Sequence, residues 1–241
     1  MKIAIGTAQL GLLYGINNNI GIPSDNEVLK IFSLANKESI RYIDTSISYG
    51  NSEQRIGDLL PLDFNVITKS NNICNGDQLI NSISSSLKNL NRAFTYGYLI
   101  HNVENLIQNP KIWDTMIQIK KDKKTKKIGF SVYSPEQLET LLDKNIIPDI
   151  IQLPYSLLDR KFQKYFKLLK ELNIDIHIRS VFLQGLYFMN LYTLPKKLNP
   201  LKKYLRSINH ICNNLNITIG ELCLNFVNEN KYIDKLIIGI D

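Results

Sequence analysis

The sequence predicts an α/β fold, a TIM (β/α)8 barrel whose final helix is absent or truncated. Eight short runs of β-branched and other apolar residues alternate with longer segments of helical periodicity, which is typical of parallel strands joined by right-handed crossovers. The first run leads into residues 6–11, whose glycine spacing differs from that of a dinucleotide-binding turn, and then into a long loop at residues 14–21. This disfavours the alternative, an open doubly wound sheet. With 44% apolar residues, the chain of 241 residues (1–241) is expected to form a single barrel domain.

The predicted strands are short and apolar. In chain order they cover residues 3–7, 42–45, 65–69, 96–101, 127–131, 149–153, 175–179 and 235–240. Because the carboxyl ends of all strands meet at one face of a barrel, we expect an active site at that face.

The first helix is predicted at residues 26–37. Its apolar side chains recur on one face with helical spacing: Val28, Ile31, Phe32 and Ala35. Ser24 and Glu27 match a capping box at its start. Further helices are predicted to begin near residue 76, at Pro135 and near Asp159, and the last two are predicted at residues 201–215 and 218–228.

Four polar side chains lie at or just after the ends of predicted strands: Asp44, Tyr49, Lys69 and His101. An ionisable residue at a strand end meets solvent or substrate, not the core. Each also has a structural interpretation alone, for example a strand-end turn for Asp44 or a solvated charge for Lys69. Their occurrence together at successive strand ends favours a catalytic interpretation.

These residue types suit carbonyl reduction. A free tyrosine, with a pKa near ~10, donates protons slowly at neutral pH, so a catalytic one needs neighbours that stabilise phenolate. Lys69 can do this by charge and His101 by hydrogen bonding, while Asp44 would keep Lys69 protonated. The phenol and the imidazole would hold the carbonyl oxygen, and hydride would have to come from a cofactor.

Composition limits the partners. The 29 basic and 22 acidic residues give a net charge of +7, concentrated at residues 120–127 and 196–203. No aromatic residues interleave these runs, so they indicate solvated faces with a weak attraction for an anionic ligand, and no nucleic-acid partner is expected.

The three cysteines are too irregularly spaced for a disulfide framework or a zinc site, and no metal is expected. No segment reaches the ~20 apolar residues of a membrane span, so we expect a cytoplasmic protein without a membrane partner.

Motifs along nearly the whole chain resemble those of the aldo-keto reductases. They are Ile43-Asp44-Thr45, Tyr49-Gly50-Asn51-Ser52-Glu53, Thr68-Lys69, Ile100-His101, Ile128-Gly129-Phe130-Ser131 and residues 151–160. The resemblance implies that Asp44, Tyr49, Lys69 and His101 form the family's catalytic tetrad. It also implies NADPH, or less often NADH, as cofactor, and these cofactor-binding residues: Gly6, Thr7, Asp44, Ser131, Gln152, Arg179, Ser180, Leu183 and Gly185. Among them, Ser131 and Gln152 match positions that hold the nicotinamide carboxamide.

Three departures from the family pattern stand out. Val132 replaces a common asparagine, so one carboxamide contact is expected to be lost. The segment between Tyr49 and Lys69 is short, which predicts a trimmed second helix. The sequence ends at Asp241, where the family continues into a segment that holds the adenosine 2'-phosphate, so this C-terminal cofactor segment is expected to be missing. Without a covering helix, the apolar outer surface of the eighth strand is expected to be exposed or covered by a partner, which would give a route to an oligomer.

The leading interpretation is an enzyme that reduces an aldehyde or ketone with a nicotinamide cofactor, with Tyr49 as general acid. Residues 14–17 and 179–185 resemble bacterial members linked to sugar and surface-polysaccharide metabolism, which suggests a sugar-derived carbonyl substrate. One alternative is a catalytically weak barrel that acts as a binding or regulatory protein, motivated by the missing segment. Another is a lyase or isomerase that uses Lys69 as a Schiff-base amine, although Asp44 would keep that amine charged.

Overall fold

In the computed structural model, which describes residues 2–240, eight parallel strands close into a barrel in chain order. The strands are β1 Ile3–Gly6, β2 Tyr42–Asp44, β3 Asn65–Lys69, β4 Thr95–Ile100, β5 Thr125–Ser131, β6 Ile150–Pro154, β7 Asp175–Arg179 and β8 Lys235–Gly239. Every predicted strand is present, and only the start of β5 differs from its prediction by more than one residue. The predicted TIM barrel is confirmed.

Nine α-helices lie in the same described range. They are α1 Asp25–Lys37, α2 Ser52–Leu59, α3 Gly76–Asn89, α4 Glu104–Gln108, α5 Ile112–Lys121, α6 Pro135–Asp143, α7 Phe166–Glu171, α8 Lys202–Leu215 and α9 Ile219–Asn228. None of the helices of residues 2–240 is long and apolar enough to cross a membrane.

Strand register brings the polar strand ends together. β1 pairs with both β2 and β8, which closes the ring, and Gly6 is opposite Asp44. Asp44 is in turn opposite Ile67, two residues before Lys69. Because all pairs are parallel, the carboxyl ends of the strands lie at one face of the barrel.

The predicted helix starts have visible causes. The Ser24 backbone N–H donates to the Glu27 carboxylate at 2.7 Å, and the Glu27 N–H donates to Ser24 Oγ at 3.4 Å, so the predicted capping box of α1 is present. A second capping box, Ser134 with Gln137, begins α6 directly before Pro135. Capping supplies acceptors for backbone N–H groups that the first helical turn leaves unpaired.

The helix predicted to begin near Asp159 is misplaced. The Asp159 N–H donates to Ser156 Oγ at 3.2 Å, and the Ser156 N–H donates to the Asp159 carbonyl at 2.9 Å. This local turn uses the groups that would begin a helix, because a serine side chain competes for backbone donors. A 3₁₀ turn at Gln163–Tyr165 follows, and α7 begins only at Phe166.

The interior of the barrel is filled below the active-site face. Ile67, Leu99 and Ile150 form a fully buried apolar cluster, and His177 beside them is 1% exposed. At the amino ends of the strands, the Tyr42 and Tyr96 rings meet edge to face with centroids 5.1 Å apart. In the same region, Lys235 Nζ lies 3.8 Å from the Tyr42 ring centroid, and Lys127 pairs with Asp175. These side chains close the floor of the barrel.

Two apolar side chains of β8, a strand whose outer surface was expected to be exposed or covered by a partner, are buried or partly buried within the described residues. Leu236 is buried, and Ile238 is partly buried against the same core cluster. Cys223 and Val227 of α9 belong to the same large cluster. β8 is the last element of the described residues, and the predicted oligomer stays a prediction.

Candidate active site

A cavity of about 390 Å³ lies at the carboxyl ends of the strands. All four predicted catalytic residues and all but one of the predicted cofactor-binding residues line it: Gly6, Thr7, Asp44, Tyr49, Lys69, His101, Ser131, Gln152, Arg179, Ser180 and Gly185. They come from strands or loops distant in the sequence, so the closed barrel brings them together. No cluster of three or more His, Cys, Asp or Glu side chains that could hold a metal ion occurs in residues 2–240.

Leu183, the remaining predicted cofactor-binding residue, does not line this cavity. Its side chain is partly buried against the main core cluster. Leu183, Gln184 and Gly185 all have positive φ, at 49°, 58° and 88°. This left-handed turn places Gln184 and Gly185, instead of Leu183, along the cavity wall.

Asp44 and Lys69 form a buried ion pair at the ends of β2 and β3. Lys69 Nζ donates to Asp44 Oδ1 at 2.6 Å and to the Thr45 carbonyl at 2.8 Å. Gln152 Nε2 donates to the other carboxylate oxygen of Asp44. Burial by itself would lower the pKa of Lys69, but the charge of Asp44, together with Tyr49, raises it overall. Lys69 is therefore an ammonium ion inside the cavity.

The Tyr49 ring lies between this ion pair and His101. Lys69 Nζ is 5.2 Å from the Tyr49 ring centroid, and the Tyr49 and His101 ring centroids are 5.7 Å apart at 83°. Burial raises the pKa of Tyr49, which Lys69 opposes and Asp44 reinforces. The phenol therefore holds its proton at neutral pH until a reacting group takes it.

Two glycines fix the loop that carries Tyr49. A Cβ atom on Gly11 would overlap the Tyr49 carbonyl oxygen, and one on Gly50 would overlap the Gly11 carbonyl oxygen. Gly50 also has a φ of 57°, a conformation that side-chain-bearing residues rarely adopt. The loop after β1 and the loop after β2 thus meet backbone to backbone beside the phenol.

His101 follows β4 and is held by a hydroxyl group. His101 Nδ1 lies 3.2 Å from Ser46 Oγ. Burial, and then the charges of Lys69 and Arg179, lower the pKa of His101 to about 3. The imidazole is therefore neutral at physiological pH, and its other nitrogen, Nε2, is left for a ligand.

The opposite wall carries a cation and an unused acceptor. Arg179 Nε donates to Ser131 Oγ at 3.3 Å, its Nη2 donates to the Val132 carbonyl at 2.9 Å, and the guanidinium lies 4.0 Å from the Tyr133 ring centroid. Gln152 Oε1 is buried and has no hydrogen-bond partner among the described residues. The Val132 side chain is fully buried in the core, so this position offers no polar group to the cavity.

The sequence did not single out four wall residues, Gln9, Tyr14, Tyr133 and Gln184, or the buried Ser46 behind the wall, which contacts His101. Tyr14 belongs to the loop after β1, which crosses toward the loop after β7. The Ile16 N–H donates to the Gln184 carbonyl at 3.0 Å. No local pattern predicts such a contact between loops. The signal for Ser46 was its position two residues after Asp44, in the same strand-end motif.

The wall residues fit a nicotinamide carboxamide. Buried acceptors in proteins normally have a partner, so the orphaned Gln152 Oε1 calls for a donor such as an amide NH2 group. Ser131 lies beside it in the barrel, since Ser131 and Gln152 are opposite each other in the β5–β6 register. Gly6, Gly185 and Gly239 add backbone without side chains to the wall. This pattern suits the close approach of an extended ligand.

Comparisons with known proteins agree with this geometry. The model of the Aldo/keto reductase family matches residues 2–240. A search of curated proteins gave no significant match.

Three solved structures share the fold. A glycerol dehydrogenase from Gluconobacter oxydans is 20% identical, with a TM-score of 0.79, and the match covers 99% of this chain and 82% of that one. An aldo-keto reductase from Bacillus halodurans, in its holo form, is 19% identical, with a TM-score of 0.78 and coverage of 99% and 82%. An aldo-keto reductase from a Medee basin deep-sea metagenome library is 19% identical, with a TM-score of 0.70 and coverage of 100% and 80%.

Proposed function

Since the chain belongs to the aldo/keto reductase family of NAD(P)H-dependent oxidoreductases, we propose that it reduces the carbonyl group of a sugar-derived aldehyde or ketone, with Tyr49 as general acid. The observation that carries this proposal is the neutral phenol between the Lys69 ammonium and the neutral imidazole of His101. The set offers two hydrogen-bond donors to one oxygen atom. It also offers a charge that stabilises phenolate.

His101 and Tyr49 hold the substrate. The Nε2–H group of His101 and the hydroxyl of Tyr49 both donate to the carbonyl oxygen, which orients and polarises it. His101 can do this over a wide pH range, because its pKa of about 3 keeps the ring from becoming a second cation beside Lys69.

Tyr49 then supplies the proton. As negative charge develops on the carbonyl oxygen, the phenol gives up its proton, and the Lys69 ammonium stabilises the resulting phenolate. Asp44 keeps Lys69 charged and fixed, since Lys69 Nζ and Asp44 Oδ1 are 2.6 Å apart and both side chains are buried. Lys69 therefore acts by charge. A paired ammonium is a poor nucleophile, which disfavours the Schiff-base alternative.

The cofactor is proposed to be NADPH, with NADH as the alternative. When bound, the reduced nicotinamide supplies the hydride. Ser131 and Gln152 would hold its carboxamide, while Arg179, Ser180 and Gly185 would lie along the rest of the dinucleotide. Arg179, which forms no ion pair among the described residues, adds a positive charge that attracts an anionic cofactor.

A polyhydroxylated substrate is supported by the mouth of the cavity. Tyr14 and Tyr133 line it with aromatic faces and hydroxyls, and Gln9 adds an amide. Sugars present both apolar ring faces and hydroxyl groups to such a surface. The similar structure from Gluconobacter oxydans, named a glycerol dehydrogenase, acts on a polyol.

The proposal is tested by cofactor titration and one conservative substitution. We expect NADPH to bind, as measured by calorimetry, and Tyr49→Phe to abolish reduction of aldoses while NADPH binding survives. Tyr192→Phe is the matched control, since Tyr192 is 90% exposed, and it should retain full activity. The absence of any binding of either nicotinamide cofactor at millimolar concentration would overturn the proposal. Native turnover by Tyr49→Phe would show that another group donates the proton.

A further inference from the structure

The hydroxyl of Ser46 lies where it can control which nitrogen of His101 carries the proton. Ser46 is fully buried in the loop after β2, and its Oγ is 3.2 Å from His101 Nδ1 and 3.3 Å from the Lys69 carbonyl oxygen. The Ser48 N–H donates to the same Oγ at 3.1 Å. A hydroxyl has a single proton to give, so Ser46 can donate to the imidazole or to the carbonyl, but not to both.

The acceptor to which the Ser46 hydroxyl donates determines which nitrogen of the His101 imidazole carries the proton. A neutral imidazole carries one N–H group. If Ser46 donates to Nδ1, the proton of the ring is on Nε2. If Ser46 donates to the Lys69 carbonyl instead, Nδ1–H donates to Ser46 Oγ, and Nε2 is a bare acceptor.

The surroundings favour the first arrangement. The Lys69 carbonyl already accepts the Ile47 N–H at 3.3 Å, whereas Ser46 is the one polar contact of His101 Nδ1 in the described residues. Ser46 Oγ likewise already accepts the Ser48 N–H, so donation by Ser46 to Nδ1 leaves each of the two oxygens with one donor and gives Nδ1 a donor as well. The proton of Ser46 is therefore better placed on Nδ1.

We propose that Ser46 is a positioning residue that holds His101 in the Nε2–H tautomer, the form that donates to a carbonyl oxygen in the cavity. This catalytic consequence rests on the proposed function, but the tautomer itself does not.

The tautomer is measurable without cofactor or substrate. The chain has only 3 histidines, so long-range ¹H–¹⁵N correlation spectra of labelled protein can be assigned with His210→Gln and His177→Leu. We expect His101 to show an Nε2–H tautomer with a hydrogen-bonded Nδ1. Ser46→Ala should move the Nδ1 resonance or change the tautomer, and Ser46→Thr, which keeps the hydroxyl, should restore the native spectrum. An identical His101 spectrum in native protein and Ser46→Ala would overturn the proposal.

Activity gives a second, separate readout. Outer partners that fix a histidine tautomer in metal sites contribute about 10- to 100-fold, and we expect a loss of kcat of that order in Ser46→Ala, with cofactor affinity unchanged and Ser46→Thr active. Native kcat in Ser46→Ala would overturn the catalytic part. If neither nicotinamide cofactor binds the native chain, the proposed function fails, while the spectra still decide the role of Ser46.

Discussion

At the scale of single residues, the charges inside the cavity come mainly from the ion pair between Asp44 and Lys69. Lys69 is 1% exposed and Asp44 4%, so both ions have lost their water. Their hydrogen bonds to Thr45 and Gln152 replace part of that hydration. Breaking such a pair by removing one partner leaves an uncompensated buried charge, which typically costs about 3–5 kcal/mol.

We therefore expect Asp44→Asn to lower the free energy of unfolding by about 3 kcal/mol or more at neutral pH. The double variant Asp44→Asn/Lys69→Met should recover part of this loss, because no unpaired ammonium remains. Urea denaturation of the native protein, the single variant and the double variant measures both effects. A single variant as stable as the native protein would show that the ammonium finds another partner.

The Asp44–Lys69 pair also makes the stability of the fold depend on pH in the alkaline range. Because the pKa of Lys69 is raised in the folded state, its stabilising contribution is complete below the ordinary lysine pKa of 10.5. The contribution is lost as the pH rises through the higher folded-state value.

The residues that sequence could predict are those whose position follows from one strand. Asp44, Lys69 and His101 end apolar runs, so their common location required only a parallel barrel. Tyr14 and Tyr133 have their roles through contacts with segments distant in the sequence, which no local pattern encodes. Ser46 lies in the strand-end motif of Asp44, but its contact with His101 also joins distant segments. Leu183 lies off the cavity wall because backbone conformation, not residue type, decides which side chain of its turn faces the cavity.

Among the elements, the loops after β1 and β2 are held together by more than the two glycines. The hydroxyls of Thr7, Thr45 and Ser52 form a fully buried cluster, with Thr45 Oγ1 3.1 Å from Ser52 Oγ and Ser52 Oγ 3.0 Å from Thr7 Oγ1. Thr7 Oγ1 also donates to the Asp44 carbonyl at 3.0 Å. This cluster joins the ends of both strands to the start of α2, and so positions the intervening Tyr49.

Gly11→Ala is expected to displace that loop. The new Cβ would overlap the Tyr49 carbonyl oxygen, which is backbone and cannot move alone, so the phenol should shift and kcat should fall about 100-fold. Cofactor affinity should change much less. Gly220→Ala is the control, because a Cβ there meets no atom closer than 3.9 Å and alanine favours the helix. Equal kcat values for the two variants would show that the contact between the loops does not position Tyr49.

Strands and caps were the predictable elements because their signals are local. β-branched runs and the Ser24–Glu27 pair each specify a structure within a few residues. The start of α7 was not predictable in this way, since a tertiary arrangement stabilises the Ser156–Asp159 turn. The Tyr187 hydroxyl, from the loop after β7, lies 3.4 Å from Ser156 Oγ.

Across the whole molecule, a buried histidine, His177, and a partly buried one, His101, make the fold sensitive to acid. The pKa of His177, like that of His101, is lowered to about 3, mainly by burial and with help from Lys235, Lys127 and Lys170 against the opposing charge of Asp234. Below about pH 6.5 the unfolded chain binds protons that these folded-state imidazoles do not. As far as these histidines are concerned, the free energy of unfolding is therefore greatest above pH 6.5. It falls between pH 6.5 and about 3, by up to ~1.4 kcal/mol per pH unit for each histidine.

His177→Leu is expected to reduce the pH dependence of the free energy of unfolding by the contribution of one histidine. The comparison is the free energy of unfolding between pH 6.5 and 5, measured by urea denaturation of native protein, His177→Leu and His210→Gln. His210 is exposed on α8, so its replacement should leave the slope as it is in the native protein. A native slope in His177→Leu would show that the buried imidazole takes up a proton in the folded state.

The filled interior of the barrel affects the order in which the proposed cofactor and substrate bind and their products leave. Ile67, Leu99, Ile150 and His177 are buried beneath the cavity, so the barrel is filled at that end. Ser131 and Gln152 lie at the buried end of the cavity, while Tyr14 and Tyr133 lie at its exposed rim. If the proposed dinucleotide binds at the deep end, it is expected to enter before the carbonyl compound and to leave after the alcohol. Steady-state inhibition should therefore be competitive between the two oxidation states of the dinucleotide and noncompetitive between the alcohol and the dinucleotide.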